Sequence, residues 1–381
     1  MTHPLHIVFT GGGTAGHLFP GLAVAEQLAA GTPQVRITFA GSGKPLEQRH
    51  VAASGFEHLV VPCRPFSLRL RKLFAFAVEN VAGCLAAGRF LDEERVDAVV
   101  GLGGYASVPM ARTAARRGLP LVLLEQNAVP GKATRWLCGR ARLVCAAMAQ
   151  TRANLRCRCP VRVSGNPIRA GFDARTPGIA DRAVSPSAVG QLLVLGGSSG
   201  AQSLNENVPR ALYKIGDRLV GWRIIHQSGK RDYEATRTLY AKFGMDVEVV
   251  DFIDEMPDML AATDLAVCRA GGTTLAELAA AGAPAALLPY PLATANHQRA
   301  NAEAFASAGA AVMVDEREVS TRLDNHLAGV LSTLLADPAR RAQMSAAMRR
   351  LARPNAAADV AAMVLEVAGV SLRGGRLRAA A

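Results

Sequence analysis

Short apolar runs recur along the chain, each followed by a longer stretch with helical spacing. Leu5–Thr10, Val35–Ala40, His58–Val61, Ala98–Gly101, Leu121–Leu124 and Arg142–Cys145 are apolar almost throughout rather than alternating. Continuous hydrophobicity of that length predicts strands covered on both faces, the pattern of a parallel sheet. Leu18–Ala30 and Ala106–Arg117 predict helices between them. The second half repeats the scheme with Gln191–Leu195, Trp222–Gln227, Val247–Val250, Leu265–Cys268 and Ala285–Leu288. Alternating strands and helices predict a doubly wound α/β architecture, twice over.

The seam between the two series lies after Ser164-Gly165-Asn166-Pro167. Gly171 to Ser187 is rich in Ala, Pro, Asp and Arg and has no strand periodicity, as in a linker. The expected organisation is an N-terminal domain over 1–165, a linker over 166–190, a second domain over 191–355, and a C-terminal helix and basic tail over 356–381. Met344 to Val370 predicts one or two helices broken near Pro354, and Ser371 to Ala381 a frayed tail. Leu278 to Gln298 contains no Asp, Glu, Lys or Arg. Gly282, Pro284, Pro289 and Pro291 interrupt it, so it predicts a helix end, a buried strand and a loop, not a membrane span.

Composition narrows the picture. The 381 residues are 50% hydrophobic and 19% charged, enough for two cores and incompatible with wholesale disorder. Lys plus Arg is 43 against 31 Asp plus Glu, a net charge of +12. That balance favours anionic partners: phosphates, nucleic acid or an acidic membrane surface. Met1 to Pro4 has no basic n-region and Leu5–Phe9 is too short for a signal peptide, so secretion is not expected. The seven cysteines are an odd number, and the Cys157/Cys159 pair has no second pair near it. Reduced cytosolic thiols are the expected state. No Asp-x-Asp, H-x-x-x-H, paired C-x-x-C or Walker A spacing occurs, so neither a metal nor a cofactor is expected.

Two segments share a device. Gly11-Gly12-Gly13-Thr14-Ala15-Gly16-His17 follows the first strand of one half, and Gly196-Gly197-Ser198-Ser199-Gly200 the first strand of the other. Glycine turns that open a helix expose backbone N–H groups to an anion, and paired loops predict a ligand held between the halves. Gly11, Gly13 and Gly16 match G-x-G-x-x-G. A dinucleotide site also needs an acid after the second strand, where Ala40-Gly41-Ser42-Gly43 has none. His17, at the mouth of the first loop, is a candidate general base; a structural histidine is the alternative. Arg269 to Glu277 follows a strand and opens a helix that can hold a diphosphate, with Glu277 either on a ribose diol or complementing the helix dipole. Ile253 in Asp251-Phe252-Ile253-Asp254 either meets the edge of a base or packs a loop. Asn127 in Glu125-Gln126-Asn127 ends a strand at the same edge. His297 and Gln298 either bond sugar hydroxyls or cap a helix.

Phe66 to Phe76 mixes bulky apolar side chains with cations. Arg64, Arg69, Arg71 and Lys72 meet no acid before Glu79. Phe66, Leu70, Leu73 and Phe74 with Arg69, Arg71 and Lys72 suit contact with anionic lipid. The alternative is a helix with one core face and solvated cations. Nucleic acid fits less well, since aromatics are 5% and no nucleic-acid motif accompanies them.

Gly12-Gly13-Thr14-Ala15-Gly16-His17-Leu18-Phe19-Pro20-Gly21-Leu22-Ala23 resembles the first signature of the MurG family. Gly103-Gly104-Tyr105-Ala106-Ser107, Glu125-Gln126-Asn127, Gly165-Asn166-Pro167-Ile168-Arg169, Gly196-Gly197-Ser198, His226-Gln227-Ser228-Gly229-Lys230, Phe252-Ile253 and Cys268-Arg269-Ala270-Gly271 follow in the family's order. The resemblance covers nearly the whole chain. It implies a GT-B fold, two Rossmann-like domains with parallel sheets facing across a cleft. It implies inverting transfer of GlcNAc from UDP-GlcNAc to the MurNAc 4-hydroxyl of undecaprenyl-diphospho-MurNAc-pentapeptide (lipid I), giving lipid II. By motif, Thr14, Ala15, Gly16 and Asn127 would meet the donor or the reacting region. Arg169 and Ser198 would meet its phosphates, and Ile253 the uracil. Gly272, Thr273, Thr274, Leu275, Ala276 and Glu277 would hold diphosphate and ribose, and His297 and Gln298 the GlcNAc hydroxyls. Implied partners are UDP-GlcNAc, lipid I, the anionic cytoplasmic face of a bacterial membrane and other cell-wall enzymes. Ala15 stands where many members carry glycine, and His297 where some carry glutamine. Pro291 to Ala295 is less polar than the corresponding loop often is. Another GT-B enzyme acting on UDP-sugars, an epimerase or a lipid or natural-product glycosyltransferase, is the alternative of the same fold; an NAD-binding protein is the more distant one.

Overall fold

The computed structural model describes residues 4–32, 34–66, 69–172, 190–197, 200–319, 322–373 and 376–379. The chain forms two compact units, one of Met1–Arg169 with Asn355–Ala381, the other of Ala170–Pro354. Most of the expected linker lies outside the described residues.

The first unit holds seven strands: β1 (His6–Thr10), β2 (Arg36–Gly41), β3 (Glu57–Val60), β4 (Ala98–Gly101), β5 (Leu121–Glu125), β6 (Leu143–Ala146) and β7 (Val161–Val163). They pair in the order β3-β2-β1-β4-β5-β6-β7, parallel throughout. The reason the middle of β1, Ile7 to Phe9, is continuously apolar is visible in its packing. Ile7 and Phe9 enter the core under helix Ala15–Gly31, while Val8 enters the opposite core with Val99 and Met110. Both faces are covered, so no position along the strand can be polar without penalty.

The second unit holds β8 (Gly190–Leu195), β9 (Trp222–Gln227), β10 (Glu248–Val250), β11 (Leu265–Cys268), β12 (Ala285–Leu287) and β13 (Ala311–Met313). Their order, β10-β9-β8-β11-β12-β13, is again fully parallel. In both sheets the strand order reverses beside the first strand, between β1 and β4 and between β8 and β11. Ligands of such sheets bind outside the carboxyl ends of the strands at that reversal.

Three features depart from the sequence reading. β7 and β13 are not among the expected strands: β7 is a three-residue edge broken by Arg162, and the edge strand β13 lies within the apolar run 310–314, which the sequence reading does not include as a strand. Helix Ala15–Gly31 begins three residues before the expected Leu18 and takes His17 into its first turn. The tail expected to fray pairs instead as an antiparallel hairpin, β14 (Val370–Arg373) with β15 (Arg376–Ala379). The break near Pro354 separates helices Pro338–Leu351 and Ala356–Val367. The second of these returns to the first unit, placing Val360, Ala361, Val364 and Leu365 among Ile7, Phe9, Leu18 and Leu124.

Helix Leu70–Glu93 is the other element the sequence left open. Gly83, Ala87 and Leu91 form its inner side. A Cβ on Gly83 would lie 2.0 Å from Pro62 O, and Ala87 and Leu91 join the core of Val96, Val99 and Met110. Its outer side carries Phe74, Val78, Val81 and Leu85, each at least half exposed. By length and composition Leu73–Glu93 is apolar enough to cross a membrane. Its docked glycine and alanine side makes it a surface helix of this unit.

Candidate active site

At the carboxyl end of β1, Gly11, Gly12 and Gly13 have φ of +124°, +129° and +79°. Side chains rarely adopt that conformation, and space forbids one as well: a Cβ on Gly11 would stand 2.7 Å from Gly103 O. Thr14 then caps helix Ala15–Gly31 in an extended conformation, its carbonyl accepting from His17 N and Leu18 N at 3.2 and 3.1 Å. The Thr14 hydroxyl lies 2.8 Å from His17 Nδ1. The His17 ring rests on the glycines after β4. A Cβ on Gly103 would be 3.0 Å from His17 Cδ2 and 3.4 Å from Nε2. Gln126, after β5, anchors the same turn by donating from Nε2 to Leu102 O at 3.2 Å.

Asn127 is held by a buried carboxylate. Glu125 accepts from Asn127 N at 3.1 Å, Asn127 Nδ2 at 3.2 Å, Gly131 N at 2.9 Å and Thr134 Oγ1 at 2.6 Å. Four donors compensate the desolvation of this charge and fix the loop after β5. Arg169 lies after β7 with its guanidinium 4.5 Å from the centre of the Phe19 ring, two residues along the helix from His17.

The turn Ala40-Gly41-Ser42-Gly43 at the end of β2 carries no acid, and the next acid along the chain, Glu47, packs against that turn. Glu47, in helix Pro45–Ala53, folds back so that Oε1 accepts from Ser42 Oγ at 2.7 Å and Oε2 from Gly43 N at 2.8 Å. His58 Nε2 stands 3.8 Å from Oε2. Burial alone would raise its pKa; the His58 ring and the donors from Ser42 and Gly43 outweigh burial and hold the carboxyl below its ordinary range. With 1% of its surface exposed and its oxygens occupied, this carboxylate is not offered to a ribose diol. The signal was present in sequence: Pro45 at the first helical position and an acid two residues later are a helix start whose carboxylate reaches back to preceding N–H groups.

In the second unit the loop after β8 carries Gly197 and Gly200 at φ +78° and +73°. A Cβ on Gly200 would sit 2.4 Å from Ser228 O, so this loop and the one after β9 touch backbone to backbone. Ser198 lies outside the described residues. Behind the loops runs a buried chain of hydrogen bonds. Asn205 donates from Nδ2 to Ser228 O at 3.0 Å and Asp232 Oδ2 at 3.1 Å, and its Oδ1 lies 3.0 Å from His226 Nε2. An amide oxygen only accepts, so Nε2 carries the proton and Nδ1 accepts from Tyr240 OH at 2.9 Å. Burial pushes the His226 pKa down to about 3.

Helix Gly272–Ala281 opens after β11 with Gly271 as its cap. Thr273 and Glu277 are buried and Thr274 is half-buried. Leu275 differs from its neighbours: its side chain is fully buried and its N–H closes the first turn on Gly271 O at 3.0 Å, so it contributes packing. Asn301 Nδ2 donates to Ala270 O at 3.0 Å, and Arg269 Nη1 to Leu288 O at 3.1 Å, with Glu316 paired to the same guanidinium. Gln298 Oε1 accepts from Tyr290 N at 2.9 Å, and His297 Nδ1 donates to Thr294 O at 2.9 Å, which leaves Nε2 as the acceptor of a neutral ring. Ala295 and Asn296, ahead of them, both adopt left-handed backbone at φ +52° and +54°. Ile253 follows β10 with its side chain buried, next to a 540 Å³ depression lined by Lys230, Tyr233, Asp251 and Phe252. Sequence reasoning missed Asn205, Tyr240 and Asn301, and gave His226 no role beyond its motif, because no motif spacing links residues joined only through the sheet.

In the proposed membrane segment, Phe66, Leu73 and Phe74 are exposed, and Phe66 meets Phe76 edge-on at 5.4 Å. Arg69 is exposed, Arg64 pairs with Glu79 at 2.6 Å, and the side chains of Leu70, Arg71 and Lys72 lie outside the described residues. All seven cysteines are free thiols. Among the described residues no three His, Cys, Asp or Glu are grouped to hold a metal ion.

The glycosyltransferase family 28 N-terminal domain matches residues 7–145 and its C-terminal domain residues 191–360. The UDP-N-acetylglucosamine–N-acetylmuramyl-(pentapeptide) pyrophosphoryl-undecaprenol N-acetylglucosamine transferase of Methylococcus capsulatus is 40% identical over 372 residues, 95% of this chain and 99% of that one. Among solved structures, Acinetobacter baumannii MurG superposes with a TM-score of 0.73 at 29% identity, covering 95% of this chain and 100% of its own. The glycotransferase of kitacinnamycin, at 20% identity and a TM-score of 0.70 over 96% and 100% of the two chains, shares the fold. Parallel sheets of matching order, glycine turns at both reversals and similarity along almost the entire length converge: the chain belongs to the MurG family of glycosyltransferases, with the GT-B fold.

Proposed function

We propose that this chain transfers GlcNAc from UDP-GlcNAc to the MurNAc 4-hydroxyl of lipid I, giving lipid II and UDP. The observation that carries this reading is His17, presented by a three-glycine turn in a chain similar to such transferases over 95% of its length. A single displacement needs a base for the incoming hydroxyl. In the tautomer whose Nδ1–H donates to Thr14 Oγ1, the neutral His17 ring has its basic lone pair on Nε2, and that atom takes the proton. The deprotonated oxygen attacks the anomeric carbon as the bond to UDP breaks, the electron pair leaves with the diphosphate, and the configuration inverts. The N–H groups opening helix Gly272–Ala281, together with Arg169, offset the charge on departing UDP.

In this reading residues 1–165 hold the acceptor and residues 191–355 the nucleotide. Thr14, Ala15, Gly16 and Asn127 face the reacting region. Arg169 and Ser198 meet the phosphates, Ile253 the uracil, Gly272 to Glu277 the diphosphate and ribose, and His297 and Gln298 the sugar. The exposed side of helix Leu70–Glu93, with Phe66 and the cations Arg69, Arg71 and Lys72, lies against the anionic cytoplasmic leaflet where lipid I resides. The test is incubation with labelled UDP-GlcNAc and a lipid I analogue. A β-linked disaccharide is expected. Conversion of UDP-GlcNAc without acceptor would support an epimerase instead.

A further inference from the structure

The three glycines after β1 permit their backbone conformation but do nothing to hold it. Glycine has the widest conformational freedom of any residue, and Gly11, Gly12 and Gly13 stand in succession at positive φ. A turn that presents a reacting group within tenths of an ångström must be held from outside. The holder is the start of the helix after β2. Lys44 Nζ donates to Gly13 O at 3.2 Å, and Glu47 Oε1 stands 3.8 Å from where a Cβ on Gly13 would sit. The Gly13 residue is thus held at its C=O and backed by the carboxylate of a residue three further along. Glu47 also fills the space a side chain on Gly12 would need, since a Cβ there would stand 3.0 Å from Oε1. The carboxylate itself cannot turn, because Ser42 Oγ and Gly43 N hold one oxygen each. Thr14 and His17 follow directly, with Thr14 capping the helix and touching His17 Nδ1.

We infer that Glu47 is a positioning residue for the transfer: it fixes the Gly12–Gly13 turn and, through it, Thr14 and the His17 ring. This rests on the reading of His17 as the base. Glu47 touches neither donor nor acceptor. Its carboxylate lies against the end of β2 and is turned inward to the protein's own chain, on Ser42 Oγ and Gly43 N.

The test compares full-length wild type, Glu47→Gln and Ser42→Ala with UDP-GlcNAc and a lipid I analogue, alongside UDP affinity by calorimetry and thermal melting. The amide in Glu47→Gln would retain one acceptor oxygen for the several donors that converge there. Misplacing a base by a fraction of an ångström to an ångström is expected to lower kcat by about ten- to a hundredfold in Glu47→Gln. KM for UDP-GlcNAc and the UDP Kd are expected to stay within about twofold, because only the transition state needs the aligned base. Ser42→Ala, which keeps the carboxylate and loses one 2.7 Å bond, should fall the same way by about two- to fivefold. A role confined to folding would lower the melting temperature and leave kcat of the folded enzyme unchanged, and that result in either variant overturns the assignment. Donor KM rising in step with the fall in kcat overturns it too. If Glu47→Gln does not fold, the kcat of Ser42→Ala decides alone. A wild type that makes no disaccharide removes the transferase reading, and the assignment falls with it; a transferring wild type matched by Glu47→Gln removes only the assignment.

Discussion

Two histidines in this chain sit on similar strand-to-helix scaffolding and have opposite fates. His17 is half-exposed on the first turn of a helix, with Thr14 on one nitrogen and glycines beneath the ring. Replacing it with Ala should lower kcat by roughly 10²–10⁴ and leave UDP binding intact, as read by single-turnover kinetics and calorimetry. Wild-type turnover in that variant would remove His17 from the role of base. His226 is fully buried with both nitrogens engaged, and burial pushes its pKa from 6.5 to about 3. A depressed value means the folded ring stays neutral while the unfolded ring takes a proton below pH 6.5. The stability is therefore complete above 6.5 and drains away as pH falls toward 3, by about 2 kcal/mol at pH 5. Urea midpoints at pH 7 and pH 5 should separate more for wild type than for His226→Gln, which cannot titrate; equal separations would refute the linkage. Sequence marks both residues as histidines near glycine motifs. Only the environment assigns one to chemistry and the other to structure.

At the scale of elements, the chain uses small residues to bring backbones together and large ones to meet the surroundings. Helix Leu70–Glu93 docks through Gly83 and Ala87 and shows Phe74, Val78, Val81 and Leu85 to the outside, at helical spacing along one side. Replacing Phe74 and Val81 with Glu should leave stability within about 0.5 kcal/mol, because neither is buried. Co-sedimentation with anionic phospholipid vesicles should fall severalfold, and undiminished co-sedimentation would argue against this face as the contact. The segment was only partly legible in sequence. Phe66 to Phe76 stood out because bulky and basic residues alternate there. The continuation to Leu85 did not, because Val81, Ala82, Gly83 and Cys84 read equally well as core. The long strands were legible for the opposite reason: covered on both faces, they are apolar over most of their length, with His6, Thr10, Thr38 and His226 among the buried exceptions. β7, a three-residue edge broken by Arg162, had nothing comparable to offer.

At the scale of the whole molecule, the chain crosses from one unit to the other twice, and the second crossing carries stability. Helix Ala356–Val367 fills the first unit's core with Val360 and Val364, while Met363 reaches Cys145 and Glu366 pairs with Arg162 at 2.8 Å. Ending the chain at Asn355 should expose that core and lower the unfolding midpoint of the first unit while leaving that of the second. Two separated calorimetric transitions, only the earlier one shifted, would be the signature; a common shift would show that the helix serves both. The sequence by itself determined the class of fold, the two parallel sheets, the glycine turns at their reversals and the membership of a transferase family. Each of these is written in local patterns of hydrophobicity, glycine and charge that survive without knowing what lies next to what. Tertiary structure alone decided that Glu47 packs behind the first turn, how His226 is wired and where the last helix belongs. Those depend on residues far apart in the chain meeting across a sheet, and burial and hydrogen-bond geometry exist only once they have met.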